Sequence, residues 1–185
     1  MMFDEIPIFG KLDLCDPCVA EVPSSQVGGV FWTGPDDAHP MDEDGVPMTP
    51  WIQISGDQLP YETSVLRRGI LYQFYISQNW LSLGIQELGQ SSYFLARELL
   101  ISPLLKPETI FTSGYKVSWQ DNPPEDEVWM GLDLHVRGMV VDQIGRDFWN
   151  IYLPDTLVFT CPDTGYSVLS KNLESGIWEV DFHFA

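Results

Sequence analysis

Proline and glycine are distributed along the whole of this chain, and their spacing is the feature that most limits its fold. The 185 residues include 14 prolines and 15 glycines, which leave few stretches long enough for a helix of several turns. Several of the short pieces between them are rich in β-branched and aromatic residues, a composition typical of strands. Hydrophobic residues make up 44% of the chain, which is enough for a packed interior. The sequence therefore predicts a β-rich globular protein.

Seven segments have the composition of strands: 27–33, 51–55, 69–76, 115–120, 136–141, 156–160 and 177–184. Segment 69–76 carries aromatic residues on both faces, which predicts a buried, central strand. Two segments predict short helices, 91–100 with an N-cap at Ser91 and a stop at Pro103, and 125–134 with acids in its first turn. The expected fold class is α+β, mainly antiparallel β-sheet with a few short helices, in a single domain spanning 1–185.

The net charge is the unusual total of this sequence. Nine Lys and Arg residues stand against 27 Asp and Glu residues, which gives a formal charge of −18. Such a surface repels nucleic acid and anionic membranes and attracts basic proteins at long range. Between Lys11 and Arg67 there is no basic residue, and the same stretch carries ten acids. Solubility is the alternative explanation of this excess.

Two clusters of acids lie in segments rich in Pro and Gly, which predicts exposed loops. The first cluster, within 34–45, consists of Asp36, Asp37, Asp42, Glu43 and Asp44. The second consists of Asp121, Glu125, Asp126 and Glu127. Trp32 and Trp51 flank the first cluster, and Trp129 lies beside the second. Acids beside aromatic residues indicate electrostatic steering with an apolar anchor. A solvated surface and a Ca²⁺ site are the other interpretations, although DEDG lacks the ligand spacing of a calcium loop.

Motifs for catalysis are few. The chain has no GxSxG elbow, no GxxxxGK[ST] or GxGxxG phosphate loop, and no HxH or HxxxH pair. Cys15 and Cys18 form a CxxC that, with Cys161 and a fourth ligand, would suit Zn²⁺. Structural or incidental cysteines are the favoured interpretation, and no cofactor is predicted. Carboxylate pairs for hydrolysis remain an open alternative, since 27 acids always offer some.

The N-terminal segment MMFDEIPIFG has no basic region followed by a sustained apolar run, so it does not resemble a signal peptide. No segment has the length and apolarity of a membrane span. Three cysteines do not make a disulfide framework. We therefore expect a soluble, cytoplasmic protein with no membrane and no direct nucleic-acid partner.

The middle of the chain resembles the YwqG-like family, a family of unknown function. The resemblance covers about 26–76, where a fixed order of motifs occurs: Gly28-Gly29, Gly45-Val46-Pro47-Met48, Ile52-Gln53-Ile54, Leu59-Pro60 and Gly69-Ile70-Leu71-Tyr72-Gln73-Phe74. Each motif has a structural explanation. Met48 fills an irregular gap in the core, and the Gln53 amide satisfies neighbouring backbone groups. Where many members carry Trp-Pro and a Cys before the turn, this chain has His39-Pro40 and the acidic run.

The resemblance implies a mixed fold dominated by antiparallel sheet and no established catalytic residues. Some bacterial members look like immunity proteins that neutralise antibacterial toxins, including nuclease toxins of type VI secretion systems. We therefore predict an immunity protein, not an enzyme, that binds a basic DNase toxin through the two acidic clusters, with Trp32 and Trp129 as anchors. The alternative prediction is a small metal- or ligand-binding enzyme with a carboxylate-lined pocket.

Overall fold

The computed structural model describes residues 9–15, 20–62, 65–78, 94–108, 114–120, 135–137, 156–161 and 165–183. Apart from one 3₁₀ turn at Gly56–Gln58, the regular structure within these residues consists of strands. The strands are β1 (Phe9–Cys15), β2 (Gln26–Gly28), β3 (Trp32–Thr33), β4 (Thr49–Ser55), β5 (Ile70–Ile76), β6 (Phe94–Leu100), β7 (Lys106–Pro107), β8 (Gly114–Gln120), β9 (His135–Arg137), β10 (Thr156–Cys161), β11 (Gly165–Lys171) and β12 (Trp178–His183).

The fold is therefore all-β, and the predicted α+β class is wrong. The predicted helix at 91–100 contains strand β6 instead. Its residues pair in antiparallel register with the whole of β5, from Ile76↔Phe94 to Ile70↔Leu100. This sequence has good helix formers, but seven successive cross-strand pairs outweigh a preference of a few tenths of a kcal/mol per residue. The other predicted helix, at 125–134, lies outside the described residues.

The chain divides into two compact units. The first comprises Met1–Leu12, Leu59–Arg67 and Ser118–Ala185, and the second comprises Asp13–Gln58 and Arg68–Val117. In the first unit the strands follow the order β12-β11-β10-β9-β1, and each pair is antiparallel. The pairing of β12 with β11 confirms the prediction that the segment near the C-terminus belongs to a sheet.

In the second unit the strands follow the order β8-β2-β4-β5-β6, and every pairing is antiparallel. β3 and β7 form a separate two-stranded ladder in the same unit. β5 lies between β4 and β6, and all but its first residue are buried, as predicted for a central strand. Predicted strand 27–33 is divided into β2 and β3, because Gly28 and Gly29 both have positive φ values that turn the chain.

Two buried clusters of the second unit pack against one face of β5, the face that carries Leu71 and Tyr75. Phe31, Met48 and Tyr75 form one buried cluster, and the Phe31 and Tyr75 rings meet edge to face at 5.3 Å. Trp32, Leu71 and Leu105 form another. Met48 is 1% exposed, which confirms its predicted place in the core. Among the described residues, no helix has the length and apolarity needed to cross a membrane.

Candidate functional site

Four polar side chains occupy one row across the sheet of the second unit. Gln26 pairs with Gln53, Gln53 pairs with Gln73, and Gln73 pairs with Arg97, on β2, β4, β5 and β6 respectively. Side chains at directly paired positions lie on the same face of a sheet. The three glutamines are at most 3% exposed, so their amide groups must find hydrogen-bond partners inside the protein.

The first part of this polar row binds the backbone of the segment that leads to the first acidic cluster. The Nε2 of Gln26 donates to the carbonyls of Gly28 and Val30, at 2.8 and 2.7 Å. The Oε1 of Gln53 accepts from the backbone N–H of Trp32 at 3.1 Å. The predicted role of the Gln53 amide in satisfying backbone groups is thus confirmed.

The second part of the row is a network around Gln73. Its Nε2 donates to the Trp32 carbonyl and to the Oε1 of Gln53. Its Oε1 accepts from the Nε of Arg97 at 2.6 Å and from the Tyr75 hydroxyl at 3.3 Å. The same hydroxyl accepts from the Nη2 of Arg97 at 3.0 Å. A buried network satisfied in this way is rigid and specifies one arrangement of the chain.

The charge state of Tyr75 follows from its surroundings. Burial raises the pKa of Tyr75 well above its ordinary value, and the Arg97 guanidinium 5.2 Å from the ring centre offsets only part of that effect. The hydroxyl is therefore neutral and serves as a hydrogen-bonding group. A phenol held in this form at neutral pH is poorly suited to act as a base or nucleophile.

His39 lies beside the same network. Its Nε2 donates to the Met48 carbonyl at 2.7 Å, and its Nδ1 lies 3.3 Å from the Oε2 of Glu108. The ring also meets Tyr75 edge to face at 5.7 Å. Although a His beside a Glu is a common catalytic pair, both nitrogens here already have protein partners. The geometry favours a role in holding the chain around Met48 over proton transfer.

We call residues 34–45 the acidic loop. Within this loop, the buried side chain of Asp42 holds the backbone in place through hydrogen bonds. Asp42 is 6% exposed, and its Oδ1 accepts from the N–H groups of Asp44 and Val46, both at 2.9 Å. Its Oδ2 accepts from the hydroxyl of Ser77 at 3.1 Å. Gly45 completes the turn with a φ of 76°, a conformation that residues with a Cβ rarely adopt.

The beginning of the acidic loop is held in a similar way. The Oδ2 of Asp37 accepts from the N–H of Gly34 at 2.9 Å, and the Asp37 N–H donates back to the Gly34 carbonyl at 3.2 Å. The next carbonyl, that of Ala38, accepts from the Nη1 of Arg97 at 3.2 Å. The loop is therefore attached to the polar row of the sheet.

The structure separates the predicted contact residues of the first cluster into two groups. Asp36, Asp37, Glu43 and Asp44 are exposed. Asp42 is buried, and Trp32, at 8% exposure, packs in the core, so neither side chain presents a surface to a partner. Asp42 instead holds the loop backbone at Asp44 and Val46, and Trp32 packs against Leu71 and Leu105. The exposed large hydrophobic side chain of the loop is that of Met41, at 54%.

The second predicted cluster, with Asp121, Glu125, Asp126, Glu127 and Trp129, lies outside the described residues. Trp51, which the sequence places beside the first cluster, is half-buried. The acidic loop is therefore the predicted site that the structure describes.

Two observations in the described part of the chain bear on the zinc site that the cysteines could form. No group of three or more His, Cys, Asp or Glu residues there is arranged to hold a metal ion. Cys15 is disulfide-bonded, and a disulfide sulfur is not the thiolate that zinc requires. A disulfide at Cys15 also differs from our expectation for a cytoplasmic protein, in which cysteines are reduced.

Sequence reasoning identified Gln53 but not the rest of the polar row. Gln26 and Gln73 lie beside or in predicted strands, where a polar residue among apolar neighbours is a signal of a buried network, whereas Arg97 lies in the segment predicted to be a helix. Their alignment depends on strand order and register, which local patterns do not fix.

The comparisons with known proteins add no family. No family model matches the chain, and the search of curated proteins found no match. The resemblance to the YwqG-like family stays a prediction that rests on the motifs quoted above.

Proposed function

We propose that this protein is an immunity protein that binds a cognate nuclease toxin and covers its basic substrate groove. The observation that carries the proposal is the acidic loop, which displays four exposed carboxylates. Hydrogen bonds from buried Asp42 and from the polar row hold its backbone in place. The net charge of −18 favours the approach of a basic partner over nucleic acid. A groove that binds DNA phosphates is basic by necessity, and carboxylates held in fixed positions complement it.

The proposed contacts differ from those expected from the sequence. Asp36, Glu43 and Asp44 steer the partner and form the charged rim, since these side chains are exposed. Met41 takes the place of Trp32 as the apolar contact, because it is the large side chain that the loop displays to solvent. Methionine is enriched in interface cores and adapts to irregular pockets.

A rigid acidic loop suits inhibition better than a flexible one. Ordering a mobile loop on binding costs free energy for each side chain that is immobilised. Here the backbone is already held by Asp37, Asp42 and Arg97. Little of the binding free energy is then lost to ordering the loop, and the exposed charges give a fast association rate.

The proposal includes a place of action. A DNase of a type VI secretion system acts inside the attacked cell, so its inhibitor has to be in the cytoplasm. The disulfide at Cys15 would be exposed to cytoplasmic reductants there. The acidic loop contains no cysteine, so this mechanism does not depend on the disulfide.

The direct test mixes the purified protein with the product of the neighbouring gene at low ionic strength. We expect a one-to-one complex by size-exclusion chromatography with light scattering, and loss of DNase activity at equimolar inhibitor. Absence of a complex, or a complex that cleaves DNA at the full rate, would contradict the proposal.

A pair of charge-matched triple variants tests the site. Asp36→Asn, Glu43→Gln and Asp44→Asn together remove three exposed charges from the loop. The control substitutes Gln for Glu21, Glu174 and Glu179, which are exposed elsewhere. We expect the loop triple to weaken the complex at least tenfold, or ~1.4 kcal/mol, and the control to weaken it far less. Equal losses would show that only the total charge matters.

A further inference from the structure

We propose that Arg97 is a positioning residue for the acidic loop, an inference that rests on the proposed function. Arg97 lies on β6, whereas the loop precedes β4 in the sequence. Its guanidinium connects the buried network of the sheet to the loop backbone at Ala38, beside the exposed carboxylates of Asp36 and Asp37. In this role Arg97 fixes the position of those carboxylates and does not itself contact the partner.

The geometry of the guanidinium supports this assignment. Its Nε donates to the Oε1 of Gln73 at 2.6 Å and its Nη2 to the hydroxyl of Tyr75 at 3.0 Å. Both acceptors belong to β5 and are fully buried, so they fix the plane of the group. The third nitrogen, Nη1, donates to the Ala38 carbonyl at 3.2 Å.

The chemistry of the three contacts separates Arg97 from the charged rim. All three acceptors are uncharged, so these contacts are charge-assisted hydrogen bonds. Added salt weakens interactions between exposed charges far more than partly buried contacts of this kind. The two roles can therefore be distinguished by binding kinetics. Exposed charges that steer the partner set the association rate and its salt dependence, whereas a residue that positions the loop sets the dissociation rate.

Lysine is the informative replacement, because it keeps the positive charge but has a single nitrogen. It cannot serve acceptors on Gln73, Tyr75 and Ala38 in the same planar arrangement. The matched control is Arg67→Lys. Arg67 is an exposed arginine whose side chain is 62% accessible and lies 3.8 Å from Glu62.

The first measurement is hydrogen exchange of the isolated protein, which needs no partner. In Arg97→Lys we expect the amides of Gly34 and Asp37 to exchange about tenfold faster, the factor that one hydrogen bond to a charged group is worth. The amides of β5 keep their protection, and Arg67→Lys leaves both sets unchanged. Unchanged exchange at Gly34 and Asp37 in Arg97→Lys would overturn the inference. Faster exchange throughout β5 would do so as well, since it would indicate a general role in stability.

The second measurement is the kinetics of binding to the product of the neighbouring gene. Arg97→Lys should leave the association rate and its salt dependence at the wild-type values and raise the dissociation rate about tenfold. A change in the association rate with no change in dissociation would overturn the inference. If the wild-type protein forms no complex, the proposed function fails, while hydrogen exchange still decides whether Arg97 holds the loop.

A second variant serves if Arg97→Lys does not fold. Tyr75→Phe removes one of the two anchors of the guanidinium and retains the ring that packs against Phe31. Faster exchange at Gly34 and Asp37 in this variant supports the inference, and exchange equal to that of the wild type overturns it.

Discussion

At the level of single residues, the acidic loop uses its carboxylates in two different ways. Asp42 points inward and organises the turn through Asp44, Val46 and Ser77, whereas Asp36 and Glu43 remain exposed. The sequence alone does not distinguish the buried acid of the loop from the exposed ones, because an Asp in a Pro- and Gly-rich segment suits either role. The difference between them decides which substitutions affect stability and which affect binding.

Substitution of Asp42 tests its internal role. Asp42→Ala leaves the N–H groups of Asp44 and Val46 and the buried Ser77 hydroxyl without their acceptor, so we expect a loss of about 2 kcal/mol in the free energy of unfolding. Urea denaturation measures it. Asp44→Ala removes the same charge from an exposed position and should change stability by less than about 0.5 kcal/mol. Equal effects of the two substitutions would be inconsistent with an internal support.

The burial of Tyr75 predicts a dependence of stability on alkaline pH. Because burial raises the pKa of Tyr75, the folded chain retains this proton at pH values where the unfolded chain, near the ordinary value of about 10, loses it. The unfolded state then binds fewer protons, so the contribution is complete below about pH 10 and is lost as pH rises. Tyr75→Phe removes the ionisable hydroxyl and with it this pH-dependent contribution to stability. Its free energy of unfolding should therefore fall less steeply than that of the wild type above about pH 10, and identical slopes would refute the assignment.

Some residue roles were accessible from the sequence. Met48 follows a turn and precedes a strand, so its place in the core was predictable, and Gln53 alternates with two isoleucines. The role of Arg97 was not predictable, because its three partners lie at sequence separations of 24, 59 and 22 residues. Contacts over such distances depend on the arrangement of the strands.

At the level of elements, strand β6 shows where local sequence reasoning failed. Segment 91–100 predicted a helix from an N-cap at Ser91 and a stop at Pro103, and FLARELL within it contains Leu, Ala, Arg and Glu, all good helix formers. The neighbouring strand β5 decides the outcome, because its residues are buried and its backbone groups need partners on both edges. β4 satisfies one edge and β6 the other. The alternation of 51–55 and the apolar, aromatic composition of 69–76 gave correct strands because pattern and tertiary context agree there.

The polar row predicts energetic coupling between neighbouring strands. Gln53→Leu and Gln73→Leu each remove one side of a shared hydrogen bond and leave backbone groups of Trp32 unsatisfied. We expect each to lower the free energy of unfolding by about 2 kcal/mol, and the double variant to lose at least about 1 kcal/mol less than the sum. Urea denaturation of the four proteins gives this value, and strict additivity would contradict a connected row.

At the level of the whole molecule, the charge could be counted from the sequence, but the arrangement of its carboxylates could not. The stretch without Lys or Arg between Lys11 and Arg67 was evident, and it contains the loop. The attachment of this loop to Arg97 through the Ala38 carbonyl was not evident, because Arg97 lies 59 residues further along the chain. The α+β class was predicted incorrectly because the helix-end signals at Ser91 and Pro103 enclose strand β6 and not a helix.

The state of the cysteines is a second whole-molecule property, and it is open to a simple measurement. A disulfide at Cys15 uses two of the three cysteines, which leaves one thiol. We therefore expect about one reactive thiol per chain when the protein is unfolded without reductant, and three after reduction. Three thiols before reduction would show that the chain is reduced, as the sequence predicted.

The central claim is that the acidic loop directs association with a basic partner. Its most direct test is the association rate with the product of the neighbouring gene, measured by stopped-flow between low and physiological ionic strength. For the wild type and the triple Gln control at Glu21, Glu174 and Glu179 we predict a rate that falls steeply with salt. For the Asp36→Asn, Glu43→Gln, Asp44→Asn protein we predict a slower rate with a clearly smaller salt dependence. Equal rates and equal salt dependence in the two triple variants would contradict the claim.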